Sequence, residues 1–191
     1  ADPAGVSVLV WSLGEVKRGQ GDFDAAQRLL EEALARMQGH GHHAGVCYAL
    51  ASLGHLALVS GDFGRAVSLQ LECLALRQTV DLLNIPHCLD ELAMVAAAMG
   101  DMAKAARLFG AAAAKRAHAG GAPWPLTLAD RGRLLAAARV GLGDATFDAA
   151  WQVGGRFSLA QAIGEAAELG EMAIRPAARP SVVTVPARVQ S

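Results

Sequence analysis

Apolar side chains recur every three or four positions in several stretches of the first 119 residues. Residues with this spacing lie on one side of an α-helix. One apolar face occurs three times, at Ala26, Leu29, Leu30, Ala33, Leu34 and Met37, then at Ala66, Leu69, Cys73 and Leu76, and then at Ala105, Leu108, Phe109 and Ala112. Each of these predicted helices needs a neighbouring helix to cover its apolar face.

A repeated tripeptide stands before each of these helices. Gly21-Asp22-Phe23 returns as Gly61-Asp62-Phe63 and then as Gly100-Asp101-Met102, at separations of 40 and 39 residues. A glycine that ends one helix and an aspartate that caps the next are typical of a helical hairpin. The repeat therefore predicts three tandem hairpins that stack on one another and share their apolar faces.

The repeat length bears on the class of solenoid. A period near 40 exceeds the roughly 34 residues of a tetratricopeptide (TPR) repeat and lies in the range of HEAT-type repeats. Small residues at the predicted helix crossings, Gly14, Gly54 and Ala93, favour TPR-like hairpins with lengthened helices. We therefore predict an all-α fold, a right-handed α-solenoid of TPR-like helical hairpins with a C-terminal helical cap.

Four segments make up the predicted organisation. Residues 1–5 are expected to be disordered or left over from cloning, and residues 6–126 to form the three hairpins. Residues 127–171 are expected to form the capping helices. Residues 172–191 are expected to be a Pro-rich extended tail or linker, because Pro176, Pro180 and Pro186 exclude a long helix.

The predicted cap contains three shorter helices that close an otherwise open apolar end. They run from Leu128 to Val140, from Ala145 to Gly154 after a cap at Asp144, and from Leu159 to Leu169 after a cap at Ser158. Large aromatic side chains in a cap are expected to anchor it. These are Trp124, Phe147 and Trp151.

Composition excludes several function classes. Seventeen basic residues against eighteen acidic ones, with a pI near 6.7, leave no basic field for nucleic acid in this segment. Cys47, Cys73 and Cys88 form no C-x-x-C pair, and we expect buried thiols in a reducing, cytoplasmic compartment. No apolar run is long enough to span a membrane. Because position 1 is not Met, we expect the chain to be a fragment of a longer protein.

Three motifs carry a family resemblance: Ala-Ala-Arg-Leu-Phe-Gly-Ala-Ala at 105–112, Leu-Gly-Asp-Ala-Thr-Phe-Asp-Ala-Ala-Trp at 142–151 and Ser-Leu-Ala-Gln-Ala-Ile at 158–163. With them, residues 6–171 resemble the C-terminal TPR region of bacterial STAND-type ATPase regulators, including LuxR-family transcriptional regulators and adenylate-cyclase-linked relatives. The resemblance implies a sensor and oligomerisation platform for signal transduction. It places ATP hydrolysis and DNA binding elsewhere in the parent protein, because no G-x-x-x-x-G-K-[ST] loop occurs here.

Candidate chemistry is sparse. His40, His42 and His43, with Cys47 close by, have the side chains of a metal site, but their spacing matches no standard zinc pattern. A solvated loop between repeats is the preferred interpretation, and a metal-binding sensor is an alternative. No nucleophile-elbow motif such as G-x-S-x-G occurs. We predict a protein that is not an enzyme and that uses no cofactor.

The first helix of each hairpin lines the concave groove of a TPR fold. A stripe at helical spacing along these helices is predicted to be exposed, at Val8, Trp11, Glu15 and Arg18, at Tyr48, Ala51, His55 and Leu58, and at His87, Asp90 and Met94. The predicted ligand-binding residues are Trp11, Glu15, Arg18, Tyr48, His55, His87, Asp90 and Met94.

Aromatic anchors with a few polar groups are typical of peptide and small-ligand sites. The leading hypothesis is therefore a groove for a protein, a peptide or a small effector. In an alternative interpretation, Trp11 and Tyr48 pack between hairpins and the charged groups form a solvated face. A further alternative function is structural self-association into a homo-oligomer.

Overall fold

A computed structural model describes residues 3–80, 84–119 and 121–174, and its regular structure in these ranges is entirely helical. The predicted all-α helical-repeat fold is confirmed. The helices are α1 (Pro3–Gly19), α2 (Phe23–Gly39), α3 (His43–Val59), α4 (Phe63–Val80), α5 (Ile85–Ala98), α6 (Met102–Ala119), α7 (Leu128–Leu142), α8 (Asp144–Gly155) and α9 (Leu159–Ile174), with a 3₁₀ turn at Pro125–Thr127 before α7.

The repeated tripeptides form the three hairpin turns. Their glycines adopt φ angles of 79°, 82° and 89°, which an L side chain rarely adopts. The aspartate after each glycine accepts a hydrogen bond from a backbone N–H three residues on, at 3.2, 3.0 and 2.9 Å for Asp22, Asp62 and Asp101. The predicted turns and caps are thus confirmed.

Helices α1 and α2, α3 and α4, and α5 and α6 pack as hairpins, while α2 contacts α3 and α4 contacts α5. The predicted crossing positions are tight. A Cβ atom on Gly14 would lie 2.9 Å from the Leu30 side chain, and one on Gly54 would lie 2.6 Å from Gln70 Nε2. The core is most complete in the third hairpin, where Cys88, Leu89 and Leu92 have no exposed surface.

The last three helices surround the third hairpin. Helix α7 packs on α5 and α6, α8 packs on α6, and α9 packs mainly on α4. Two ion pairs join α9 to α6, from Lys104 Nζ to Glu168 at 2.7 Å and between Arg107 and Glu165. The capping helices therefore pack on the third hairpin and, through α9, on α4 of the second hairpin.

The cap confirms one predicted helix start and corrects another. Ser158 Oγ accepts from the backbone N–H of Gln161 at 3.2 Å, and Gln161 Oε1 accepts from the Ser158 N–H at 2.8 Å. This reciprocal pair is a capping box. Asp144, in contrast, is the first residue of α8, and the residue before the helix is Gly143 with φ 76°. The Asp144 carboxylate instead pairs with Arg139 at 2.9 Å.

The two chain ends also bear on the predicted segments. Helix α1 begins at Pro3, so residues 3–5 are helical, although residues 1–5 were expected to be disordered or left over from cloning. Helix α9 extends to Ile174, whereas the cap was predicted to end at residue 171. The predicted tail lies, from residue 175 onward, outside the described residues.

Candidate binding surface

The first helices of the hairpins, α1, α3 and α5, carry a row of aromatic rings. Tyr48 and His87 occupy equivalent positions in the second and third hairpins. Trp11 on α1 lies beside Tyr48, with ring centroids 5.8 Å apart, and its Nε1 donates to Ser52 Oγ at 3.0 Å. We call the side of α1, α3 and α5 that bears this row the first-helix surface.

A segment of the same chain lies on this surface. The Trp124 ring stacks on Tyr48 at 5.9 Å and contacts His87 at 5.6 Å. Arg18 Nη2 donates to the Leu126 carbonyl oxygen at 3.4 Å. We call residues 121–131, which contain the 3₁₀ turn and the first residues of α7, the strap. Trp124 was expected to anchor the cap; in the structure it anchors the strap to the first-helix surface.

The strap and α7 change the predicted exposure of the stripe. Five positions of the stripe are buried, so the expectation of an exposed stripe is wrong there: Ala51, His55, Leu58, Asp90 and Met94. Three of them, His55, Asp90 and Met94, are ligand-binding candidates. His55 and Asp90 are covered by contacts to the strap, and Met94 belongs to the main core. The other five candidates are partly exposed: Trp11, Glu15, Arg18, Tyr48 and His87.

His55 lies at the centre of a buried charged cluster. Its Nδ1 is 2.9 Å from Glu91 Oε2, and its Nε2 is 3.3 Å from Asp130 Oδ2 in the strap. Burial lowers the pKa of His55, but the Glu91 charge and the hydrogen bonds to Asp130 and Glu91 outweigh burial and raise the pKa to about 9. Burial raises the pKa of Glu91, but the His55 charge outweighs it, so this pKa lies below its usual value. The pair is therefore ionised at neutral pH.

The neighbouring His87 has the opposite shift. Burial lowers its pKa to about 4, against the opposing charge of Glu91, whose Oε1 is 4.0 Å from His87 Nδ1. The His87 ring is therefore neutral at pH 7. A neutral imidazole beside Trp124 acts as an aromatic partner and not as a cation.

A second ionic cluster fastens the start of α7. Arg131 Nε lies 2.9 Å from Asp90 Oδ1, and the other Asp90 oxygen accepts from Arg116. The guanidinium of Arg77 lies 5.4 Å from the Tyr48 ring centroid, a cation–π distance. Asp90 thus joins α5 to α6 and α7, and Arg77 of α4 contacts the aromatic row.

Several residues of this surface were missed in the sequence. Glu91 is one of them. It stands beside the predicted Asp90 inside an otherwise apolar helix, and two adjacent acids there signal buried carboxylates with partners. Trp124 stands between two prolines, and an aromatic residue in a short Pro-rich loop signals docking onto another surface. Asp130 and Arg131 carry no signal of their own, because surface acids and bases are common in the first turn of a helix.

The histidine-rich loop does not form a metal site in the described part of the chain. His40 and His43 are exposed, and no three His, Cys, Asp or Glu side chains converge there to hold a metal ion. The alternative of a metal-binding sensor therefore has no site to support it. All three cysteines are buried thiols that form no disulfide, as expected. None of the described helices is long and apolar enough to cross a bilayer.

Residues 6–79, which span the first two hairpins, match the family model described as tetratricopeptide repeat. The chain therefore has a TPR-like repeat region. No curated protein and no solved structure matches the chain.

Proposed function

We propose that this chain is the protein- or effector-binding module of a larger transcriptional or signalling regulator, is itself non-catalytic, and binds its partner on the first-helix surface. TPR repeats generally mediate protein–protein interaction, which supports the general class. The observation that carries the proposal is the strap, because it lies on this surface as a bound peptide would, with Trp124 on the aromatic row.

The chemistry of the surface suits a peptide. Trp11 and Tyr48 offer ring faces, and Arg18 offers a donor that already holds the backbone carbonyl of Leu126. Glu15 keeps Arg18 in place, with 2.8 Å between Glu15 Oε2 and Arg18 Nη2. Rigid aromatic anchors with a few oriented polar groups provide most of the affinity in protein–peptide recognition.

Selection of displayed peptides against the 191-residue chain tests the proposal. The selected peptides are expected to lose at least roughly tenfold in affinity when Tyr48 or Trp11 is changed to Ala, because aromatic hot spots carry about 2 kcal/mol or more. Glu72→Ala, at an exposed site on α4, is the matched control and should leave the affinity unchanged. Peptides that bind all variants equally would contradict the proposal.

The parent regulator is a further part of the proposal. The buried thiols, which form no disulfide, support a reducing, cytoplasmic setting, and the motifs at 105–112 and 142–151 support a STAND-type parent. Sequencing the complete reading frame tests this assignment. An ATPase module together with a DNA-binding or cyclase domain is expected, and a frame that encodes neither would contradict it.

A second candidate function is self-association, and the free side of α1 favours it. Val6, Leu9, Leu13 and Val16 are 36%, 71%, 48% and 54% exposed. Their equivalents one repeat later are only 6%, 0%, 3% and 4% exposed, because α2 packs on α3. These equivalents are Val46, Ala49, Leu53 and Leu56.

Two copies would meet through α1 in a symmetric contact. Stacking of one copy on the far end of another is blocked, because α7, α8 and α9 cover the third hairpin. A contact in which each copy offers the same helix is the usual arrangement in a two-fold dimer. A leucine stripe on α1 has the spacing that such a contact requires.

Sedimentation equilibrium over a range of protein concentrations tests the dimer. A dimer is expected, and Leu9→Glu with Leu13→Glu should convert it to a monomer by placing charges in the contact. Val140→Glu, at an 84% exposed position on α7, is the matched control and should leave the mass unchanged. A monomer at every concentration would exclude self-association.

A further inference from the structure

We propose that the strap is a built-in competitor for the first-helix surface, and that the partner of this surface carries an aromatic side chain followed six residues later by a carboxylate, the chemistry of Trp124 and Asp130. This inference rests on the proposed function, since it specifies the ligand of the same surface. It also adds a step that the proposed function does not require, because the strap has to lift before the partner binds.

The strap is held by few contacts. Trp124 and Thr127 are its covered side chains near the surface, whereas Pro125, Leu126 and Leu128 are exposed. The strap is therefore held by the Trp124 stack, by the hydrogen bond from Arg18 and by the ion pairs of Asp130 with His55 and of Arg131 with Asp90. Among the described residues, none of its side chains belongs to the apolar core. Segments with few buried apolar contacts are those that open locally at low free energy.

The rest of α7 is held independently of the strap. Leu134 and Ala138, further along the helix, are buried in the main core against α5 and α6. Opening of the strap therefore requires the 3₁₀ turn and the first turn of α7 to detach, while the remaining helix stays in place. Helix ends fray more easily than helix interiors because their first N–H groups lack partners within the helix.

The aromatic position is defined by rings on two hairpins. Tyr48 and His87 lie one repeat apart, and both contact the Trp124 ring. The Tyr48 ring is also contacted by the Arg77 guanidinium, 5.4 Å from its centroid, so its position is fixed from below. A flat apolar side chain from another molecule finds the same two rings once Trp124 has left.

The carboxylate position is defined by His55. Glu91 fixes the buried imidazole from one side, at 2.9 Å from Nδ1, and leaves Nε2 directed toward Asp130 at 3.3 Å. When the strap lifts, the imidazolium loses its second anion, and an incoming carboxylate restores the pair. A buried charge with an unfilled partner position favours the group that completes it.

Arg18 supplies a third contact between these two positions. Its guanidinium holds the Leu126 carbonyl at 3.4 Å, so it recognises backbone and not a particular side chain. Along the strap, the three groups that the surface binds are thus an aromatic ring, a backbone carbonyl and a carboxylate, in that order. A partner segment in the same direction satisfies all three, whereas an acidic segment without an aromatic residue satisfies only two.

A fluorescein-labelled synthetic peptide with the sequence of residues 121–133 is the probe, and fluorescence anisotropy with the 191-residue chain is the measurement. We expect Trp124→Ala in the chain to strengthen peptide binding about tenfold, because it removes the anchor of the internal competitor and raises the fraction of open surface. Leu128→Ala is the matched control. It shortens an exposed apolar side chain of the same strap and should bind as the wild type does.

The peptide itself is varied as well, which keeps the test independent of chain folding. Trp124→Ala or Asp130→Asn in the peptide should each weaken binding to the Trp124→Ala chain by roughly tenfold. Equal peptide affinity for the wild-type and Trp124→Ala chains would contradict the proposal that the strap competes for the surface. Equal affinity of the wild-type and Asp130→Asn peptides would overturn the carboxylate position. Circular dichroism checks folding, and Trp124→Leu replaces Trp124→Ala if the latter unfolds.

Failure of this inference differs from failure of the proposed function. Display-selected peptides that depend on Tyr48 but are not displaced by the 121–133 peptide would overturn the inference and leave the proposed function standing. Selected peptides that ignore Tyr48 would instead overturn the proposed function, and the inference with it.

Discussion

The two ends of the stack differ in how the same repeat is covered. In the first hairpin, α1 presents a row of exposed aliphatic side chains on its outer side. In the third hairpin, the equivalent side chains on α5 are buried by α4, and α7, α8 and α9 cover its other sides. Burial in this chain therefore depends on the neighbour of a helix and not on the helix itself.

Substitutions where α8 of the cap crosses α6 should cost the most stability. A Cβ atom on Gly154 of α8 would overlap the carbonyl oxygen of Arg107 on α6, and one on Gly110 would overlap the Trp151 carbonyl. We expect Gly154→Val to cost about 3 kcal/mol or more in the free energy of unfolding, because neither backbone can move aside.

Urea denaturation measures this cost. Gly164→Ala on α9 is the matched control, since no atom lies within 4 Å of its added Cβ. It should stabilise the chain slightly, by about 0.5–1 kcal/mol, because alanine favours a helix over glycine. A Gly154→Val variant as stable as the wild type would mean that α6 and α8 do not cross this closely.

One leucine position compares the two ends directly. Leu13, Leu53 and Leu92 are equivalent in the three hairpins, and only Leu13 is exposed. We expect Leu92→Ala and Leu53→Ala to cost about 2–5 kcal/mol each, and Leu13→Ala to cost less than about 1 kcal/mol. The free energies of unfolding of the three variants, measured at low protein concentration, check this order. A large cost at Leu13 would show that α1 is covered in solution.

The two histidines that contact the strap, His55 and His87, predict a maximum of stability near pH 6.5. His55 has a folded pKa of about 9, above its ordinary 6.5, so its contribution is complete below pH 6.5 and is lost as the pH rises to 9. His87 has a folded pKa of about 4, so stability is lost as the pH falls from 6.5 to 4. The free energy of unfolding thus falls on an alkaline limb, through His55, and on an acid limb, through His87. Each limb lowers it by up to about 3 kcal/mol.

Melting temperatures between pH 4 and pH 9.5 test both limbs. Substitution of His55 by Gln should flatten the alkaline limb, and substitution of His87 by Gln should flatten the acid limb. His43→Gln, at an exposed site, should keep both. An alkaline limb that persists in His55→Gln would assign the loss to another group.

The hairpin caps should show the smallest effect and the smallest difference between the ends. Asp22, Asp62 and Asp101 make the same backbone contact at 3.2, 3.0 and 2.9 Å. Each Asp→Ala change is expected to cost about 1 kcal/mol in the free energy of unfolding, since each removes one cap hydrogen bond. Guanidinium denaturation measures it, and costs that differ severalfold among the three would show that capping depends on the neighbouring hairpins.

More of the fold than of the binding surface could be predicted from the sequence. The turns at Gly21, Gly61 and Gly100 and the cap at Ser158 depend on contacts within about four residues, so local chemistry was sufficient. Asp144 was misassigned because its carboxylate pairs with Arg139 in the preceding helix and not with its own backbone.

The predicted exposure of the stripe was wrong at positions where long-range contacts bury the side chain. The spacing of Tyr48, His55, His87 and Asp90 correctly puts them on the first helices, but His55 and Asp90 are buried by groups about 40 or more residues away in sequence. No periodicity in the strap could indicate which helix it would cover.

Local chemistry specifies the hairpins, because glycine conformation, aspartate caps and helical spacing act within a few residues of one another. Long-range packing alone places Trp124 on the aromatic row and pairs Asp130 with His55. These outcomes depend on the path of the chain after α6, which brings residues together that share no local pattern.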